Sequence, residues 1–71
     1  MPEYCVNMNA QPGSNDHEVH DLSSTKNCLP SPANRISLGF FSSCDGAVTA
    51  AKNYYSDVNG CYYCAYSCHT T

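Results

Sequence analysis

Between Gly60 and Thr70 the chain reads GCYYCAYSCHT, placing Cys61, Cys64, Cys68 and His69 within nine consecutive residues. Cys61-x-x-Cys64 is the sharpest feature of this stretch. Two intervening residues let a tight turn aim both sulfurs at one point, and zinc prefers such thiolates in a tetrahedral shell. The pair supplies half a shell, and the other ligands must come from elsewhere. Cys28 lies upstream in a loop-like stretch, and His20 sits eight positions before it. Cys68 and His69 compete for the same role, because Cys64-x-x-x-Cys68 is also a workable spacing on a turn. His17 is a further candidate.

The same cysteines admit two other chemistries. An even count of six allows a disulfide framework, with Cys68 a natural partner for Cys44. Cys61-x-x-Cys64 also has the form of a redox-active dithiol. That use requires a stabilised thiolate, for example at a helix N-terminus, and the motif does not sit at one. The opening residues, MPEYCVNMNAQ, show neither a basic n-region nor an apolar h-region, and no apolar run approaches membrane-spanning length. A cytoplasmic protein is therefore expected. Thiols there are kept reduced, which favours metal over disulfides.

Whatever positions these groups must be small. The chain has 71 residues, one domain's worth, and it carries six cysteines, no tryptophan and two phenylalanines. Ordering each residue costs roughly 1.5 kcal/mol, which area burial in so short a chain offsets only approximately. A covalent or metal staple is therefore expected to supply part of the stability. The net charge is −3, with Lys26, Arg35 and Lys52 the only basic residues. That number cannot build a phosphate-binding patch, so nucleic acid is not an expected partner. No Gly-x-Ser-x-Gly elbow, phosphate-binding loop or paired-carboxylate pattern appears, and Cys-His-Thr near the end is too short to define a nucleophilic pair. The chain is expected to bind rather than to catalyse, with another protein as partner. Its six tyrosines offer contact area with a polar tip, or else replace missing large aliphatics.

The positioning elements follow from periodicity. EYCVNMN alternates, with Tyr4, Val6 and Met8 on one face and Cys5 on the other, and reads as a strand. Pro12-Gly13 and Asn15-Asp16 form a turn, and HEVHDL returns as the second arm of a hairpin. On a strand His17 and Val19 share one face, Glu18 and His20 the other, so the two histidines point apart. SSTKNCLPSPAN is a loop. Arg35 to Phe41 is a strand with Ile36, Leu38 and Phe40 inward. SSCDGAVTAAKNYY is a helix, with Ser42 or Ser43 as N-cap, a Ser42-x-x-Asp45 capping box, and an apolar stripe of Cys44, Ala47, Val48, Ala51 and Tyr55. Asn59-Gly60 closes it in a positive-φ turn. CYYCAY forms a last short strand or a knuckle. The order β-β-loop-β-α-β predicts a single α+β domain over residues 1–71, stapled by zinc or by disulfides.

From His20 to Cys64 the chain resembles the small Ada-type metal-binding domain family. The shared pattern is a hairpin bearing His or Cys, a Cys, a strand ending in Phe, a helix of the form S-S-x-x-x-A-x-x-A, and a closing C-x-x-C knuckle. Here these are EVH, NCLP, LGFFSSCDGAVTAAK and GCYYC. The chain also looks like short stand-alone bacterial proteins with DHEVH near the start and CHT at the end. Matched position by position, the resemblance implies a zinc site of His20, Cys28, Cys61 and Cys64. The alkyl-transfer chemistry of the Ada module does not carry over. It requires four thiolates and a basic DNA-facing surface, and this chain offers His at the first ligand position and no such surface. Cys44, Cys68, His69 and His17 remain alternative metal or disulfide residues.

Overall fold

A computed structural model describes residues 1–26 and 28–70. Asn27, within the expected loop and the NCLP motif, lies outside the described residues. The chain folds as an α+β domain: a four-stranded mixed sheet with one helix packed on one face. The strands are β1 (Glu3–Asn7), β2 (His17–Asp21), β3 (Arg35–Phe40) and β4 (Val58–Gly60), in the spatial order β3-β1-β2-β4. The helix α1 spans Cys44–Ala51.

The hairpin forms as the alternation predicts. β1 and β2 pair antiparallel, with Tyr4 opposite Asp21, Cys5 opposite His20 and Val6 opposite Val19. Side chains alternate across a sheet, so this register divides the hairpin into two faces. Tyr4, Val6 and Val19 join Cys44, Ala47 and Ala51 of α1 in the apolar core. Full burial of Val6 and Val19 is worth about 1.5–3 kcal/mol each. Cys5 and His20 occupy the opposite face and are also buried. The two central strands, β1 and β2, are thus covered on both sides, by the helix on one and by the segments around His20 on the other.

β3 pairs antiparallel with β1 but slips by one residue. Val6 faces Ile36 and Cys5 faces Ser37, then Tyr4 faces Gly39, leaving Leu38 as the extra residue of a bulge. Gly39 takes φ +101°, a conformation that side chains resist, which is why the bulge falls there. The slip reverses the parity of the strand's end. Phe40, expected inward, is 63 % exposed, and Phe41 packs on the core instead, its ring 6.4 Å from that of Tyr4.

The helix is shorter than its apolar stripe. It starts after Ser43, whose hydroxyl makes no capping bond, so the Ser42-x-x-Asp45 box does not form. It ends at Ala51, with Lys52 as its C-cap, well before Asn59-Gly60. Those two residues do not form the expected positive-φ turn. They belong to β4, which lies parallel to β2, with His17 opposite Val58 and Val19 opposite Gly60. CYYCAY is accordingly not a strand. It is a turn that opens with Cys61 and leads into a 3-10 turn over Tyr66–Cys68. No helix among the described residues is long and apolar enough to cross a membrane.

Candidate metal centre

Three separate segments bring the site together. β2 supplies His20 from the face away from the helix. The loop between β2 and β3 supplies Cys28. The knuckle after β4 supplies Cys61 and Cys64. One ligand atom from each of these four residues lies within 4.8 Å of all the others. The parallel pairing of β4 with β2 is what makes this possible. It sets the start of the knuckle beside His20, and the Cys61 N–H donates to the Val19 carbonyl at 2.9 Å. His20 and Cys61 are buried, while Cys28 and Cys64 are half-buried. These groups are positioned to hold a metal ion.

His20 is oriented from both sides. Its Nδ1 is 3.5 Å from Cys64 Sγ, and its Nε2 is 3.7 Å from Glu18 Oε1. At 3.7 Å the carboxylate is too far for a hydrogen bond, and it acts on the ring through its charge, favouring a proton on the far nitrogen and leaving the near lone pair for a metal. Glu18 was visible in the sequence as the same-face neighbour of His20, but its role as an orienting partner was not read there.

The sulfurs are also held by backbone N–H groups. Asp21 N–H donates to Cys64 Sγ and Tyr63 N–H to Cys61 Sγ, each at 3.4 Å. Such bonds favour the charged form of a thiolate. Lys26 Nζ reaches the Tyr63 carbonyl at 3.1 Å and sets a cation beside the knuckle. Without a metal, burial dominates: it pushes the Cys61 and Cys64 thiols up and pulls His20 down. Buried, raised thiols are the opposite of what a reactive dithiol needs. Cys5, beside His20 on the neighbouring strand, is pushed up to about 11, again chiefly by burial.

The other candidates lie elsewhere. His17 points to the helix side, as the alternation requires. Its ring stacks on Tyr55 at 3.6 Å, and its Nδ1–H donates to the Asn7 carbonyl at 2.9 Å. His69 Nδ1–H donates to the Gly60 carbonyl at 3.0 Å. Cys44 and Cys68 form a disulfide, with Cα atoms 6.3 Å apart and a sequence separation of 24. Cys5, Cys28, Cys61 and Cys64 are free thiols.

The segment from Tyr66 to Thr70 is tied down. The disulfide joins the last 3-10 turn to the start of α1. Asn59 Oδ1, buried in β4, accepts the Gly60 N–H at 2.9 Å, the Thr70 N–H at 3.0 Å and the Thr70 hydroxyl at 3.2 Å. The knuckle is therefore clamped on both sides, by β4 before it and by the bridged turn after it. No protein-family model, curated protein or solved structure matches this chain.

Proposed function

We propose that the chain is a small zinc-stabilised binding protein without catalytic activity of its own. The observation that carries this reading is the convergence of one imidazole and three thiols, delivered from three distant segments, with their ligand atoms within 4.8 Å of one another. Sulfur-rich donors with one histidine suit zinc, a borderline-soft ion that takes four such ligands tetrahedrally. His20, Cys28, Cys61 and Cys64 would fill the shell and leave no position for substrate or water, which argues for a structural role. Three thiolates around a divalent ion leave a net charge near −1, and the two N–H···S bonds and Lys26 support that charge.

The binding role draws on the surface of the knuckle. Tyr62, Tyr63 and Tyr66 are all more than half exposed and meet in edge-to-face contacts, with Tyr62 central and His69 against it. Rigid tyrosines displayed on a metal-braced turn suit contact with another protein. A net charge of −3 disfavours nucleic acid. Free thiols in the cluster are in keeping with a cytoplasmic setting.

A second reading has its own support in the Cys44–Cys68 disulfide: a stapled peptide that works in an oxidising compartment. Cobalt(II) substitution separates the two. The zinc reading expects one cobalt per chain, with the intense visible bands of a tetrahedral thiolate site, lost on His20→Ala. Absence of those bands with the free thiols intact would favour the second reading.

A further inference from the structure

The loop that delivers Cys28 also shapes an open cavity of about 590 Å³, lined by Ser24, Thr25, Leu29, Pro30, Ser31 and Arg35 among others. That volume is in the range of small-molecule sites, roughly 300–1,000 Å³. Among the described residues, no carboxylate lines the cavity. Arg35, one of the three basic residues of the chain, makes no ion pair among the described residues. Its Nε–H donates to the Pro30 carbonyl at 2.9 Å, which fixes the guanidinium plane and leaves the paired Nη edge to find another acceptor.

The hydroxyl at Ser31 is set up in the same sense. Ser31 Oγ accepts from Asn34 Nδ2 at 2.9 Å, so its own proton is left to donate. Ser24 Oγ accepts the Lys26 N–H at 3.2 Å, and Thr25 adds a third hydroxyl. Beside these donors stands an apolar wall of Leu29, Pro30 and Pro32. The cavity therefore combines a planar cation, the Ser31 hydroxyl with its proton left to donate, and a small hydrophobic surface.

We propose that this cavity binds a small carboxylate with a compact apolar body. The carboxylate pairs through two parallel N–H···O bonds with the Nη edge of Arg35, a geometry that guanidinium matches and ammonium does not. The Ser31 hydroxyl donates to one of its oxygens, and the apolar body rests on Leu29 and Pro30. A free organic acid and the C-terminal carboxylate of a peptide share this chemistry. The inference depends on the metal reading only through Cys28, which anchors the loop.

The test is amide chemical-shift mapping on the full chain with N-acetyl-leucine as probe, and with N-acetyl-leucine amide as its neutral isostere. Metal content is measured on every sample, so that failure of the unsubstituted, metal-loaded chain to bind the acid counts against the cavity alone and not against the metal reading. The acid is expected to shift Ser24, Thr25, Ser31 and the Arg35 side chain, and the amide to leave them unmoved. Arg35→Gln should weaken binding at least about ten-fold, and Arg35→Lys should not restore it. Ser31→Ala, which leaves the guanidinium in place, should weaken it by a smaller factor and decides the matter if the Arg35 variants do not fold. A short peptide ending in a free leucine assigns the source: tighter binding than the free acid points to a peptide terminus, weaker binding to a small molecule. Equal shifts from acid and amide, equal binding of inorganic phosphate, or binding undiminished in both Arg35→Gln and Ser31→Ala would overturn the proposal.

Discussion

Two sulfur centres are built into this chain, a cluster positioned to hold a metal ion and a disulfide, and Gly60 lies next to both. Immediately after Gly60, Cys61 leads into the cluster of His20, Cys28, Cys61 and Cys64. Behind it, Cys68 returns to bridge Cys44 at the start of α1. The cluster gathers three segments spread over residues 20–64, whereas the disulfide closes one loop between the helix and the turn that follows the knuckle. A link's stabilising effect depends on how much chain it would leave unorganised, so the cluster is the more consequential. A structural zinc in a small domain is worth roughly 10–16 kcal/mol of apparent binding free energy. Closing a loop of this length is worth about 3 kcal/mol in the chain-entropy picture.

The largest expected effect is therefore at Cys61. Serine there cannot form the thiolate, and Cys61→Ser should lose the metal and with it most of the stability of the fold, read by denaturant unfolding and amide dispersion. A variant that stays folded with unchanged stability would sink the zinc assignment. Replacing both Cys44 and Cys68 by alanine should cost about 3 kcal/mol in denaturant unfolding and leave one metal bound. Loss of metal in that double variant would mean that the two staples are one cooperative unit.

Gly60 tests the joint between them. A Cβ there would lie 2.6 Å from the Ala65 carbonyl oxygen and 2.7 Å from Cys68 Cβ. The first of these is backbone and the second is held by the bridge, so neither yields readily. Gly60→Ala should destabilise by about 1–3 kcal/mol through overpacking, and the loss should be smaller once the bridge is reduced and Cys68 can move. An equal loss in both redox states would show that the bridge does not press on this position. The smallest effect is at Glu18. Glu18→Gln keeps the shape but removes the charge behind His20, and should weaken metal binding about 10- to 100-fold in competition with a chelator, with little change in fold. Unchanged affinity would remove Glu18 from the account.

The pH dependence should also separate metal-free from metal-loaded protein. Without metal, burial holds His20 below its ordinary pKa, so the unfolded chain takes up the proton first, and stability falls as pH drops through about 6.5. Burial holds Cys5, Cys61 and Cys64 above theirs, so the unfolded chain loses those protons first. Stability is full below about 8.5 and falls as pH rises beyond it. With metal bound, Cys61 and Cys64 are already thiolates, and the alkaline decline should shrink to the part due to Cys5. Thermal melts across pH, with and without zinc, check this. Superimposable alkaline limbs would contradict it.

Much of this was legible in the residues. Alternation over Glu3–Asn7 and His17–Asp21 gave the hairpin, and with it the separation of His17 from His20, because two residues of odd spacing on a strand cannot share a face. The apolar stripe from Cys44 to Ala51 gave the helix. What was not legible depended on partners distant in sequence. The outward turn of Phe40 follows from a bulge that appears only when β3 meets β1. The parallel strand Val58–Gly60 has three residues, too few for a pattern, and exists because β2 offers it an edge. Spacing alone left open which histidine and which of the distal cysteines complete the cluster, since that choice is made by the β2–β4 register and by the bridge that removes Cys68.

The most direct measurement is the mass of the untagged protein under native conditions against its denatured intact mass. The account predicts a native excess of one zinc, together with a denatured mass lower by two hydrogens, for the single Cys44–Cys68 bridge. No bound metal, with a denatured mass lower by four or six hydrogens, would mean that cysteines of the cluster are spent on disulfides and would contradict the metal centre.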